Sequence, residues 1–321
     1  MLGDMPIVPY QNGGTAAGAL NAPIPNNAAT DPQSPATVDR LLNDLADTRI
    51  ALEPSVAVYT AVASDPVWRV RCEGRDVAHY RIPQTARPGV PITEDGPMVV
   101  YDPACSPTSE LRLWRAVPDP ANHIMTAQGW GLFDSGPCGS GLPLYGWGTG
   151  SGLSSGAGLL RGWEVTDLLA GQPVRHALRI HAPAWCSGAW RAPATRSDQG
   201  GTGPLPMGAR LQLQASDDQI ASRTVPGDDP DLRKLLHAIC RAARDYGLVV
   251  LDGVPGRQWT IPIEHPVTAP GIDVLRRRAP NGYLGNVIRD QRANRTGDGL
   301  RRRKTDGVPW ERLRMLTRGT W

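Results

Sequence analysis

Two neighbouring stretches, "SVAVYTAV" (Ser55–Val62) and "VWRVRCEG" (Val67–Gly74), decide how the chain is read. Both alternate apolar and polar residues, the period of two that a half-buried strand imposes because successive side chains leave opposite faces. In the second, Trp68, Val70 and Cys72 share one face and Arg69 and Arg71 the other. Working outward, the period recurs in "PMVVYDP" (97–103), "ELRLWRAV" (110–117), "VRHALRIHAP" (174–183), "ARLQLQ" (209–214) and "RQWTIPIE" (257–264). Between them lies a Gly- and Ser-dense stretch, 129–162, whose Trp130, Phe133, Tyr145 and Trp147 make it too aromatic for a linker. It reads as a long ordered loop region crossing a sheet.

Helical spacing interrupts this pattern in few places. Ser34 as N-cap, Pro35 at the first position and Val38, Leu41, Leu42 and Leu45 predict a helix ending near Asp47. "EVTDLLAGQ" (164–172) predicts a short turn stopped by Gly171. The clearest helix is capped by Asp229, opened by Pro230 and stopped by Gly247, with Leu232, Leu235, Leu236, Ile239, Cys240 and Ala243 as its stripe. "LVVLDG" then leads out as a buried strand, and "VPWERLRML" (308–316) predicts a short amphipathic helix. With 36 glycines and 31 prolines in 321 residues, strands joined by many turns are favoured over a helical fold. The expected fold is mainly β: an antiparallel, jelly-roll-like β-sandwich with two or three peripheral helices. Residues 1–33 are expected to form an extended arm, 34–256 the sandwich, and 257–321 a basic extension.

Charge divides the chain along the same line. From Arg257 to Trp321 there are fourteen basic and six acidic residues, a net +8, against −5 for the remainder. Trp310, Leu313, Leu316 and Trp321 punctuate this segment, which lacks a nucleic-acid fold motif, so it is expected to dock on a protein partner rather than on nucleic acid. No apolar run is long enough to span a bilayer, and the start shows no signal peptide. The five cysteines have no Cys-x-x-Cys spacing, so no metal is expected, and buried thiols are favoured, with a Cys138–Cys186 disulfide left open. "GWGTGSG" (146–152) has no following Lys and is not a phosphate-binding loop, so no cofactor is expected.

Two chemistries remain. The polar faces carry Arg69, Arg71, Arg112, Trp114, Arg179, His181, Arg210 and Gln212, and the connection "WRAPATRSDQG" (190–200) adds Trp190, Arg196 and Asp198. Guanidinium, indole and carboxylate groups suit an acidic or hydroxyl-rich sugar, while the bland alternative is a solvated face with Arg–Asp pairs and an Asx-turn. The glycan-binding set is therefore Arg179, His181, Trp190, Arg196, Asp198 and Gln212. Catalysis is the rival: Tyr145 or His181 as the base of a uronate lyase. A glycosidase is disfavoured, because none of the seven glutamates lies two or four residues from another acid. His176, on an apolar face, is expected to be a core histidine.

The blocks "LNAPIPNNAATDPQSPATVDRLL" (20–42), "VVYDP" (99–103), "ELRLWRA" (110–116), "HALRI" (176–180), "WRAPATRSDQGGTGPLPMGARLQL" (190–213) and "AARDYGLVVLDG" (242–253) resemble, in the same order, a poorly characterised actinobacterial family. Its members include secreted hypothetical proteins and minor tail or other virion proteins of phages infecting those bacteria. The sequence departs from the secreted pattern at Leu20, where the family has Trp, and in lacking an export signal. The resemblance implies a virion component, tail-associated and structural rather than enzymatic, and extracellular in the alternative. Its implied partners are other virion proteins or copies of itself, with host cell-wall polysaccharide as a ligand and no membrane insertion.

Overall fold

The computed structural model describes residues 20–47, 50–90, 95–104, 109–134, 142–183, 186–225, 228–254, 259–272 and 307–317. Residues 1–19, Cys105, Cys138, most of the basic extension and Trp321 lie outside them. Helix α1 (Ser34–Asp47) and the long strand β1 (Ile50–Thr60) are followed by the hairpin β2 (Val67–Cys72) and β3 (Arg75–Arg81). Next come β4 (Met98–Asp102), β5 (Ser109–Trp114), β6 (Val117–Asp119), β7 (Ile124–Ala127), β8 (Gly129–Asp134) and β9 (Pro143–Gly146). Helix α2 (Gly162–Leu169) precedes β10 (Leu178–Pro183), β11 (Ser187–Trp190), β12 (Pro206–Met207) and β13 (Arg210–Leu213). Helices α3 (Asp217–Ala221) and α4 (Pro230–Asp245) lead to β14 (Leu248–Val254), β15 (Trp259–Glu264) and, far along the chain, β16 (Leu313–Met315).

These elements do not make an antiparallel sandwich. Ten strands form one mixed sheet in the order β16-β13-β14-β10-β15-β1-β4-β5-β8-β9. Its centre is largely parallel: β14 with β10, β15 with β1 and β1 with β4. The strand β1 changes partners along its length, running beside β15 up to Val56 and beside β4 from Ala57. The expectation of a jelly-roll-like sandwich is thus corrected to a mixed α/β architecture. A period of two reports that a strand has one apolar and one polar face; it does not report the direction of its neighbours.

What covers the sheet explains the period. On one face Leu178, Ile180, Leu248, Val250, Ile261 and Ile263 pack against α2 and the apolar stripe of α4. Farther along the same face, Met98, Val100, Leu111 and Leu113 meet Trp68, Val70, Tyr80 and Met125 of a four-stranded sheet ordered β3-β2-β7-β6. Among the described residues the other face carries no helix. There Val249 and Leu251 pack on Leu20, Leu153 and Ala157, and Val56, Val58, Val99 and Tyr101 pack on Leu159. The loop after β9 therefore lies across the sheet, and its small side chains let it lie close.

The helices form where their capping residues predict. Asp229 accepts from the N–H groups of Asp231 and Leu232, and Gly247 follows α4 with φ of 89°, a conformation that costs a glycine little. Ser34 instead accepts from the N–H of Met315, tying α1 to β16. The "VPWERLRML" segment is a single 3-10 turn, Trp310–Arg312, followed by a strand rather than an amphipathic helix. Trp310, Leu313 and Leu316, expected as anchors for another subunit, are buried within this chain's own core, Trp310 to 1% exposure. The 257–321 segment thus supplies two strands, β15 and β16, to the central sheet.

Candidate functional site

A cavity of about 390 Å³ opens on the face of the sheet crossed by the loop after β9. Alternation in β5 sends Leu111 and Leu113 into the core and Arg112 and Trp114 towards the cavity. In β10 the same alternation buries Leu178 and Ile180 and turns Arg179 and His181 towards it. Asp252 comes from the end of β14, Trp147 and Gly150 from the loop after β9, and Arg196 and Asp198 from the loop after β11. Glu53 and Ser55 of β1 complete the wall beneath.

The arginines dominate its electrostatics. Arg179, 2% exposed, donates to Ser155 O at 2.5 Å and to His181 Nε2 at 2.7 Å, and stands 3.9 Å from Asp252 Oδ2. Arg112 donates to Ser155 Oγ at 3.2 Å and lies 4.8 Å from the centroid of the Trp147 ring. Its Nη1 is buried without a partner in the protein. Burial, reinforced by the charges of Arg179 and Arg196 and opposed by Asp252, pulls its guanidinium down to about 10, so it stays cationic at neutral pH. Arg196 donates to Thr149 O at 3.1 Å and lies 5.5 Å from the same indole. Three guanidinium groups thus converge around Trp147 and Ser155, with Asp252 the carboxylate closest to Arg179.

The remaining groups are polar and differently poised. Burial pushes the Asp252 carboxyl up, the Arg179 charge pulls it back, and the charge of Asp198 raises it further. Burial, with the Arg179 charge adding to it, holds His181 well below the ordinary imidazole range, so the ring is neutral. Because Nε2 accepts from Arg179, the ring proton sits on Nδ1, and His181 offers the cavity a donor rather than a base.

Of the residues expected to bind glycan, Arg179, His181, Arg196 and Asp198 meet in this cavity. Trp190 is 51% exposed on β11 and does not line it. Gln212 sits elsewhere, donating to Arg244 O and accepting from Arg314. Tyr145 points outward from β9, 67% exposed, and is not in the wall. Arg69 and Arg71 pair with Asp76 on the small sheet, the bland reading of a solvated face. Arg210 is turned to the carbonyls of Tyr246 and Ala22.

Sequence reasoning left out Asp252, Trp147, Arg112 and Trp114 as site residues. Arg112 and Trp114 were legible as a polar face, and Asp252 as a charge closing an otherwise apolar strand. Trp147 carried only the signal of an aromatic in a glycine-rich loop. Among the described residues no group of three His, Cys, Asp or Glu side chains could hold a metal, and no helix is long and apolar enough to cross a membrane. Cys72, Cys186 and Cys240 are buried free thiols, and burial pushes Cys186 and Cys240 up to about 12. No family model, no curated protein and no solved structure matches the chain.

Proposed function

We propose that the protein recognises an acidic glycan of a Gram-positive cell wall through this cavity, as a tail-associated component of a phage virion. The observation that carries the recognition is the convergence of Arg112, Arg179 and Arg196 on a cavity with an indole in its wall. Like charges this close repel one another, and a bound carboxylate or phosphate relieves the repulsion while answering the unpaired Arg112 Nη1. Trp147 supplies an apolar plane for a sugar ring, and Asp198, Asp252 and the His181 N–H suit hydroxyls.

The virion setting is supported by the ordered sequence blocks from Leu20 to Gly253, which resemble an actinobacterial family of secreted hypothetical proteins and phage minor tail or virion proteins. Attachment to other virion proteins, or to copies of the chain, then falls to surfaces other than the Trp310 segment, which is packed in its own core.

The test is retention of the full chain on immobilised wall polysaccharides bearing uronate or phosphate, with carboxyl-reduced or dephosphorylated forms as controls. Arg196→Ala removes one charge-assisted contact at the mouth of the cavity, worth about 1.5–3 kcal/mol, and is expected to weaken retention roughly 10- to 100-fold. Equal retention of the acidic and neutralised forms, or of wild type and variant, overturns the proposal.

A further inference from the structure

The cavity also holds a pair of carboxylates that the sequence keeps far apart. Asp252, near the end of β14, and Asp198, in the loop after β11, meet across Gly150. The Gly150 N–H donates to Asp252 Oδ1 at 3.0 Å, and a methyl group on the Gly150 Cα would stand 2.4 Å from Asp198 Oδ1. Glycoside hydrolysis uses such a pair, set about 5–9.5 Å apart with the scissile bond between them.

Their environments differ in the way such a pair requires. Asp252 Oδ1 accepts from Gly150 and Gly253, both at 3.0 Å, which leaves Oδ2 towards Arg179 and the cavity. Burial and the neighbouring Asp198 raise its pKa and Arg179, the Gly150 N–H and Arg112 lower it, with a net upward shift, the direction a general acid requires. Asp198 is solvent-facing at the mouth, where water has access, and is steadied by Gln199 Nε2 at 2.9 Å. A lyase, by contrast, needs a free base near the sugar ring, and the Nε2 of His181 is occupied.

We propose that the cavity hydrolyses a glycosidic bond of the acidic glycan it binds, with Asp252 as general acid and Asp198 as the base for water. This rests on the reading of the cavity as an acidic-glycan site. In the step, Asp252 gives its proton to the glycosidic oxygen as the bond from the anomeric carbon to that oxygen breaks. Asp198 takes a proton from water as the water oxygen bonds to the same carbon. One water is consumed, two hydroxyl-ended fragments form, and the two carboxyls return to their starting states by proton exchange with solvent.

The experiment incubates the full chain with each polysaccharide used for retention, together with polygalacturonate and alginate, and follows new reducing ends and the ultraviolet absorbance of unsaturated uronate. Reducing ends without unsaturated product are expected from a retained polysaccharide. Asp252→Asn and Asp198→Asn should each slow the release by ~100-fold or more, the range general acid–base catalysis contributes. In each variant release should fall at least ~10-fold further than retention, because Asn still hydrogen-bonds the glycan but cannot pass a proton. Asp198 is on an exposed loop, so its variant remains informative should Asp252→Asn fold poorly. Retention without cleavage overturns hydrolysis and leaves recognition standing. Unsaturated product, or unchanged cleavage by the Asn variants, also overturns it. Absence of both retention and cleavage overturns both proposals.

Discussion

Gly150 shows how much of this site depends on a single missing methyl group. The far end of the Asp198 side chain is what a Cβ at Gly150 would meet, and that end can swing aside. Gly150→Ala should therefore leave the melting temperature within about 2 °C of wild type, roughly 1 kcal/mol for a domain this size. Glycan retention should nevertheless fall ~10-fold or more, about 1.4 kcal/mol, and unaltered retention would show that Asp198 does not contact the ligand. His176 carries a different test. Its ring nitrogens face Ala177 O and Glu164 Oε1, each at 2.9 Å, two acceptors that favour the doubly protonated ring. Burial opposes this charge, but Glu164 more than offsets it and the pKa is raised. The stability it contributes is complete below the ordinary histidine value of ~6.5 and is lost as pH rises through the raised folded-state value. Denaturant titrations from about pH 6.5 upward should show that fall, and His176→Gln should flatten it. A core histidine was legible from its apolar face; its partner twelve residues away was not.

At the scale of elements, local signals were read well and long-range ones poorly. Helix α4 lies where Asp229, Pro230 and Gly247 place it, because capping and helix stops act within a few residues. The β16 segment went the other way. Its apolar edge has too few residues for a stable helix alone, and the edge of β13 offers it strand hydrogen bonds instead. Arg314 then reaches Gln212 and Thr30, and Thr30 bridges Leu316, so the segment is tied on both sides. Trp310→Ala should cost about 3–5 kcal/mol, as for other buried aromatics, measured as a lowered denaturation midpoint. A chain ending at Ile272 should melt far lower or become insoluble, and a peptide of residues 307–317 added in trans should restore part of the loss. An unaltered midpoint in the truncated chain would show that β16 contributes nothing to the core.

For the whole molecule, alternation and composition made the abundance of strands legible but hid their parallel order. The pairing of Ile50 with Trp259 joins strands that no local pattern connects. The candidate site shares this limit: four of its residues were expected, but Asp252 and Arg112 reach it through sheet neighbours that only the topology supplies. Because the cavity borrows from β1, β5, β10 and β14 at once, ligand should stabilise the entire fold. At a hundredfold excess over the dissociation constant the gain is about 2.7 kcal/mol, readable as a raised melting temperature, and added salt should diminish it by screening the arginines. A rise that is indifferent to salt would argue against charge recognition. The Ile50–Trp259 pairing also sets a timetable for biosynthesis. At ~5–20 residues per second, a ribosome needs roughly 10 to 40 s to deliver β15 after β1 has been made. Throughout that interval one edge of β1 has open backbone groups, available to nascent copies on the same messenger. Slower translation lengthens the exposure, so a chaperone bound to the emerging first half would raise the yield of folded chain more than one supplied after release.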